Sequence, residues 1–322
     1  MNLNDWRNKW ASLQDRFGES RVNAVAWIIL VGLASIAVRL LMAYEFDTSA
    51  LLYVGIPYII SLVIVLYRPV KTNEKWWHQY RDHSLTALSV FLASSIVLFE
   101  GFVCVVFFLP IYFLVVSIAF VFRWAGVSRA RKHGNTYAVV LPILVLASSL
   151  EGTTDTLTVP RDSHVVVTKT TNLSAEQVMD NIAQPFDLRK DRNWMLALFP
   201  MPYEIEAGSL NPGDVHYVRT RYHRWFVTNT HEGELHLQIV DVQPNRIRTT
   251  FLHDTTFFSS YLTPLGTEIT LTELGPDKTE ISLRIDYRRK LDPAWYFHPL
   301  QQYGVSQMAD FLIDEVMIRE QQ

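Results

Sequence analysis

Apolar residues fill positions 84 to 124 with little relief: Glu100 and Gly101 interrupt the run, and Arg123 stands near its far end. A helix that crosses a bilayer needs about 20 apolar residues, so the run is too long for one crossing and long enough for two, folding back at Glu100-Gly101. The same criterion predicts spans over 22 to 44, 49 to 67, 84 to 99, 102 to 124 and 136 to 150. The last would cover roughly 23 Å at 1.5 Å per residue, less than the ~30 Å hydrocarbon core. Either its polar flanks snorkel and the bilayer thins, or the segment only dips into the membrane. Ahead of the spans, residues 1 to 21 place Trp6, Trp10, Leu13 and Phe17 on one helical face, which predicts an amphipathic helix on the membrane surface.

After residue 150 the pattern changes. Residues 151 to 161 form a short polar linker, and from 162 to 322 apolar and polar residues alternate as in a water-soluble domain. Strands are predicted over 164 to 170, 203 to 207, 214 to 223, 225 to 230, 234 to 242, 246 to 253, 267 to 274 and 278 to 288. Turn signals stand between them at Asn211-Pro212-Gly213, Glu232-Gly233, Pro244-Asn245 and Gly275-Pro276-Asp277. Ser174 and Gln177 make a capping box that starts a helix over 175 to 182. Asp292 as cap and Pro293 at the first helical position open a last helix, which Pro299 is expected to divide. Its stripe of Val305, Met308, Leu312 and Val316 needs an apolar surface, and a curved antiparallel sheet is what this half can offer.

Charge adds orientation. Lys and Arg cluster before the first span (Arg7, Lys9, Arg16, Arg21), between the second and third (Arg68, Lys71, Lys75, Arg81) and between the fourth and fifth (Arg123, Arg129, Arg131, Lys132); the other two connections have none. Cytoplasmic loops hold such an excess, so the N-terminus is expected inside the cell. Five crossings then put residues 151 to 322 beyond the inner membrane, in a bacterial periplasm; four would leave the domain in the cytoplasm. Polar residues at membrane depth are costly and mark candidates: Arg39 inside the first span, and Glu100 and Glu151 at span ends, where interfacial turns are the plainer reading.

Composition excludes more than it assigns. A net charge of -3 with no basic stripe argues against nucleic acid. Cys104 is the sole cysteine, so there is no internal disulfide and no thiolate cluster. Histidines of the second half, among them His216, His223, His231, His236, His253 and His298, lack metal-ligand spacing, and no nucleophile elbow, phosphate loop or dinucleotide fingerprint occurs. No catalytic residue, metal or cofactor is expected on these grounds.

The strand from Val165 to Thr170 leading into Ser174-Ala175-Glu176-Gln177, the Gly213-Asp214 strand start, the paired segments 267 to 274 and 278 to 287, and Asp292-Pro293-Ala294-Trp295 before the last helix follow one order. In that order the chain resembles the START-like superfamily (SRPBCC, the polyketide cyclase/dehydrase and lipid-transport proteins) over about 163 to 320. The segment 99 to 104, Phe-Glu-Gly-x-x-Cys, also resembles a membrane-anchored bacterial branch with several spans ahead of that domain. The resemblance implies an α+β helix-grip domain with a cavity for an apolar ligand between the sheet and the last helix.

On that architecture the lining would come from Leu235, Leu237, Ile239, Phe251, Ile281, Leu283 and Tyr287 on the strands and Trp295, Met308 and Leu312 on the last helix, residues that would equally serve as core. Phe257, Phe258, Tyr261 and Leu262 sit in a connection where polar residues are expected. They are either a gating loop that touches the membrane beside the cavity mouth or a segment packed on the domain's own helix. Three functions follow: a membrane-tethered binder, with transfer an option, of a lipid or other hydrophobic molecule; a cyclase- or hydrolase-type enzyme using a polar group in the same cavity; or a structural or regulatory component that binds a partner protein.

Overall fold

The computed structural model describes residues 48–67, 75–98, 102–129, 144–145, 147–184, 194–197, 200–206, 209–225 and 228–318, with scattered positions before 42. The amphipathic segment 1 to 21, Arg39, Glu100, most of the first span and the first half of the fifth lie outside these residues. The chain divides between Leu157 and Thr158 into a helical unit and a unit that holds a sheet.

In the helical unit, a π-helical turn, Leu51–Gly55, runs into α1 (Ile56–Tyr67), followed by α2 (Trp76–Leu98) and α3 (Phe102–Arg129). Ile60 and Ile64, Ala87 and Val90, and Tyr112 and Val116 bring the three helices together. The third predicted span proves to be the tail of a longer helix, because the polar turns from His78 to His83 continue the same hydrogen-bond ladder. Among the described residues one helical stretch, Val105–Ala125, is long and apolar enough to cross a membrane; Leu51–Ile64 is apolar but shorter.

The second unit is a seven-stranded antiparallel sheet in the order β1-β7-β6-β5-β4-β3-β2. Its strands are β1 (Asp162–Thr171), β2 (Met201–Glu206), β3 (Val215–Trp225), β4 (Thr228–Gln243), β5 (Arg246–Asp254), β6 (Leu262–Gly275) and β7 (Lys278–Arg289). Between β1 and β2 lie α4 (Ala175–Ala183) and α5 (Trp194–Ala197); α6 (Ala294–Leu312) and a π-helical turn, Ile313–Met317, follow β7. A long last helix against one face of an antiparallel sheet is a helix-grip arrangement, as the resemblance implies. The capping box forms as read: Ser174 Oγ accepts from Gln177 N (3.3 Å) while Gln177 Oε1 accepts from Ser174 N (2.9 Å).

Three local readings are corrected. Glu232-Gly233 is no turn: β4 runs straight through it, and glycine is needed because a Cβ there would lie 2.3 Å from Thr255 O. Pro299 sits inside an unbroken α6. Asp292 does not cap that helix, whose N-cap is Pro293 without a side-chain bond; its carboxylate has other partners, described below.

The stretch read as a linker is held at both ends. Gly152 N donates to Leu157 O (3.4 Å) around a 3-10 turn, Asp155–Leu157, and Ala50 N donates to Glu151 O (2.9 Å). On the far side, Arg289 N donates to Arg161 O (2.8 Å) and Arg289 Nη2 to Val159 O (3.3 Å).

Candidate ligand site

Register defines which side chains face α6. Partners across an antiparallel ladder share a face, and the pairs Val165↔Ile285, Ile285↔Thr267, Thr267↔Thr249, Thr249↔Ile239, Phe251↔Leu237 and Leu235↔Val218 trace one surface from β1 to β3. A bulge at Leu252 keeps Phe251 and Leu237 in step.

That surface has two halves. Under the C-terminal end of α6, Ile247, Ile269, Leu271, Ile281, Leu283 and Ile285 pack against Ala309, Ile313, Val316 and Met317, with Ala175 and Val178 of α4 closing the side. Asn181 Nδ2 ties α4 to the chain end by donating to Met317 O (3.0 Å). Further along, Leu235, Leu237 and Phe251 face the same way but stay partly exposed, as does Met308 on α6. Among the predicted lining residues, Ile239, Ile281, Leu283 and Tyr287 are buried. Leu312 packs against the same core. Trp295 points outward and is exposed.

The far end is closed by the aromatic connection. Phe257 is buried and stacks on Tyr222 of β3 (centroids 4.1 Å apart), with Tyr261 edge-on at 5.2 Å. Gln301 Nε2 of α6 donates to Tyr261 O (3.0 Å), and Lys290 N also donates there (3.1 Å). Phe258 stays partly exposed, and Leu262 already belongs to β6. Phe257 is thus packed on β3, and the loop's backbone is tied to α6. Between these two packed regions Leu235, Leu237 and Phe251 keep part of their surface accessible.

Its polar groups are few and mostly mutual. Thr249 Oγ1 and Thr267 Oγ1 bond each other at 2.7 Å on the same face. Burial pushes the Tyr287 hydroxyl pKa up against the pull of Ser163 and Arg289; no hydrogen bond of good geometry reaches that hydroxyl. Ser163 Oγ lies 3.3 Å from His298 Nδ1. No group of three metal-ligating side chains occurs among the described residues. His236 and His253 are cross-strand neighbours on the other face, with Glu234 3.3 Å from His236 Nε2.

Alternation could not have revealed the fastening of α6. Arg289 and Asp292 are 1% and 0% exposed and form a buried ion pair; Arg289 Nη1 also donates to Leu291 O, and Arg161 Nη2 reaches Asp292 Oδ2 at 2.5 Å. On the edge strand, Lys169 Nζ lies 2.7 Å from Asp310 and 2.8 Å from Asp314. Burial acts to lower the Lys169 pKa, but the two carboxylates outweigh it and the net shift is upward. A raised folded-state value means this contribution is complete below the unfolded lysine value of 10.5 and is lost as pH rises through the higher folded one. Lys169→Met should therefore lower the melting temperature at pH 8 and remove part of the alkaline decline, measured by melting curves from pH 8 upward.

No protein-family model matches this chain, and no curated protein matches it. Solved structures do. The Zhui aromatase/cyclase from Streptomyces sp. R1128 aligns at 15% identity and a TM-score of 0.32, over 48% of this chain and 93% of that one. Norcoclaurine synthase from Thalictrum flavum aligns at 13% and 0.33 over 51% and 91%. A START superfamily protein from Mycobacterium smegmatis aligns at 16% and 0.31 over 48% and 96%.

Proposed function

We propose that this chain is a membrane-tethered module that binds a lipid or another hydrophobic small molecule between β3–β5 and α6, on the side of the membrane opposite the cytoplasm. The observation that carries the binding is the open half of the α6-facing surface. Leu235, Leu237 and Phe251 face the interior side of a sheet whose other half is packed solid, yet they keep accessible surface. Apolar area left open inside a fold favours an apolar occupant by about 25 cal/mol per Å² covered.

The tether is supported by the apolar outer surface of the helical unit, whose interior also holds paired polar groups. Ser49, Ser61, Ser149 and His83 are buried inside it, with Ser61 Oγ 2.8 Å from His83 Nε2, while Ile59, Leu62, Leu85, Leu114 and Val121 are turned outward. Water disfavours so much outward apolar surface, whereas lipid tolerates it and leaves polar groups to pair within the bundle. The Lys and Arg distribution supports a cytoplasmic N-terminus.

Two measurements test this. Mass spectrometry of extracts from the purified full chain should find a hydrophobic molecule, and Leu237→Trp, which fills the open stretch, should reduce its amount at least tenfold while the protein still melts cooperatively. Equal recovery from both proteins, or none from either, would reject the site. A periplasm-dependent phosphatase fused after Gln322 should be active; a silent phosphatase with a fluorescent cytosolic reporter would reverse the sidedness.

A further inference from the structure

We infer that the outer face of the N-terminal half of α6 rests on the bilayer surface, a reading that builds on the proposed tether. The exposed positions of α6 are Trp295, Pro299, Gln302 and Tyr303. At 100° per residue they fall within one band about 100° wide and, at 1.5 Å per residue, ~12 Å long. A helix face turned to water ordinarily carries charge. This one carries none, although Trp295 and Tyr303 are 54% and 46% exposed.

The same domain supplies the contrast. On α4 the exposed positions are Glu176, Gln177, Asp180 and Ala183, two of them acidic. Trp and Tyr with an uncharged polar companion are the residues that settle at the headgroup level, where a flat ring has an apolar body and a polar edge to satisfy.

Connectivity selects the bilayer as the occupant. The chain reaches this domain at Thr158, and Val159 and Arg161 are fastened through Arg289 and Asp292 to the residues that open α6. Val159 is itself exposed. The uncharged face therefore begins beside the point where the tether arrives, and one domain end is confined near whatever surface holds the tether. The connection carrying Phe257 and Tyr261 is bonded to Gln301 on this part of the helix, so the closed end of the ligand site is the end nearest this face.

The test uses the full chain in phosphatidylcholine nanodiscs, with Cys104→Ser and a nitroxide at Gln302→Cys or, as reference, at Gln177→Cys. Relaxation by oxygen should exceed relaxation by a water-soluble nickel chelate several-fold at 302, with the order reversed at 177. Adding Trp295→Ser and Tyr303→Ser should give 302 the pattern of 177. A water-like 302 in the parent protein would overturn the inference, as would a 302 shielded from both reagents, which means a protein partner. Extracting the same samples separates the two claims: a bound hydrophobic molecule with a water-exposed 302 overturns this face and leaves the ligand site standing.

Discussion

Replacing Asp292 by alanine should cost the sheet domain about 3–5 kcal/mol, the range for removing one partner of a buried ion pair. The cost comes from what remains: Arg289, 1% exposed, would keep its charge with only the carbonyls of Leu291 and Val159 to meet it. Arg161 would lose its carboxylate as well. Asp292→Asn, which keeps a hydrogen-bond acceptor, should fall between wild type and alanine. Chemical denaturation of the full chain, followed through the sheet signal, checks the order; an alanine variant within 1 kcal/mol of wild type would mean that water reaches the pair.

The second large effect is a contrast between two apolar residues on one face. Ile281→Ala should cost about 2–5 kcal/mol, because it opens a cavity among Ile247, Leu271 and Ile313 that a packed surround cannot close. Leu237→Ala should cost less than about 1 kcal/mol, since the side chain is only partly buried and less packing is lost. Equal losses in the two variants would contradict the division of this surface into a solid half and an open one. The same pair should separate in ligand content, with only Leu237→Ala changing recovery.

Much of the sheet domain is legible in the chain because its signals are local. Ser174 and Gln177 need only each other to start α4, and the alternation from Ile281 to Tyr287 follows from the pleat alone. Where the reading failed, the decisive neighbour was remote. Glu232-Gly233 looks like a turn until Thr255 crosses it, and Asp292 looks like a cap until Arg161, 131 positions away, takes its carboxylate. Alternation reports which face a residue occupies and says nothing of how far along that face it lies. Ile281 and Leu237 are therefore indistinguishable by pattern, although α6 covers one and leaves the other open. The helix-grip architecture alone puts Trp295 in the lining, and the outward band it forms with Pro299, Gln302 and Tyr303 is seen only once the opposite side of α6 is known to be occupied.

The clasp that Arg289 makes around Val159 and Arg161 also bears on where this protein can be cut. A fragment begun at Asp162, where β1 starts, would look intact on paper yet omit a carbonyl and a guanidinium that an interior charge depends on. Beginning at Thr158 retains both. A shorter piece that precipitates would then report a missing clasp, and a soluble one four residues longer would show that the sheet and its last helix are self-sufficient.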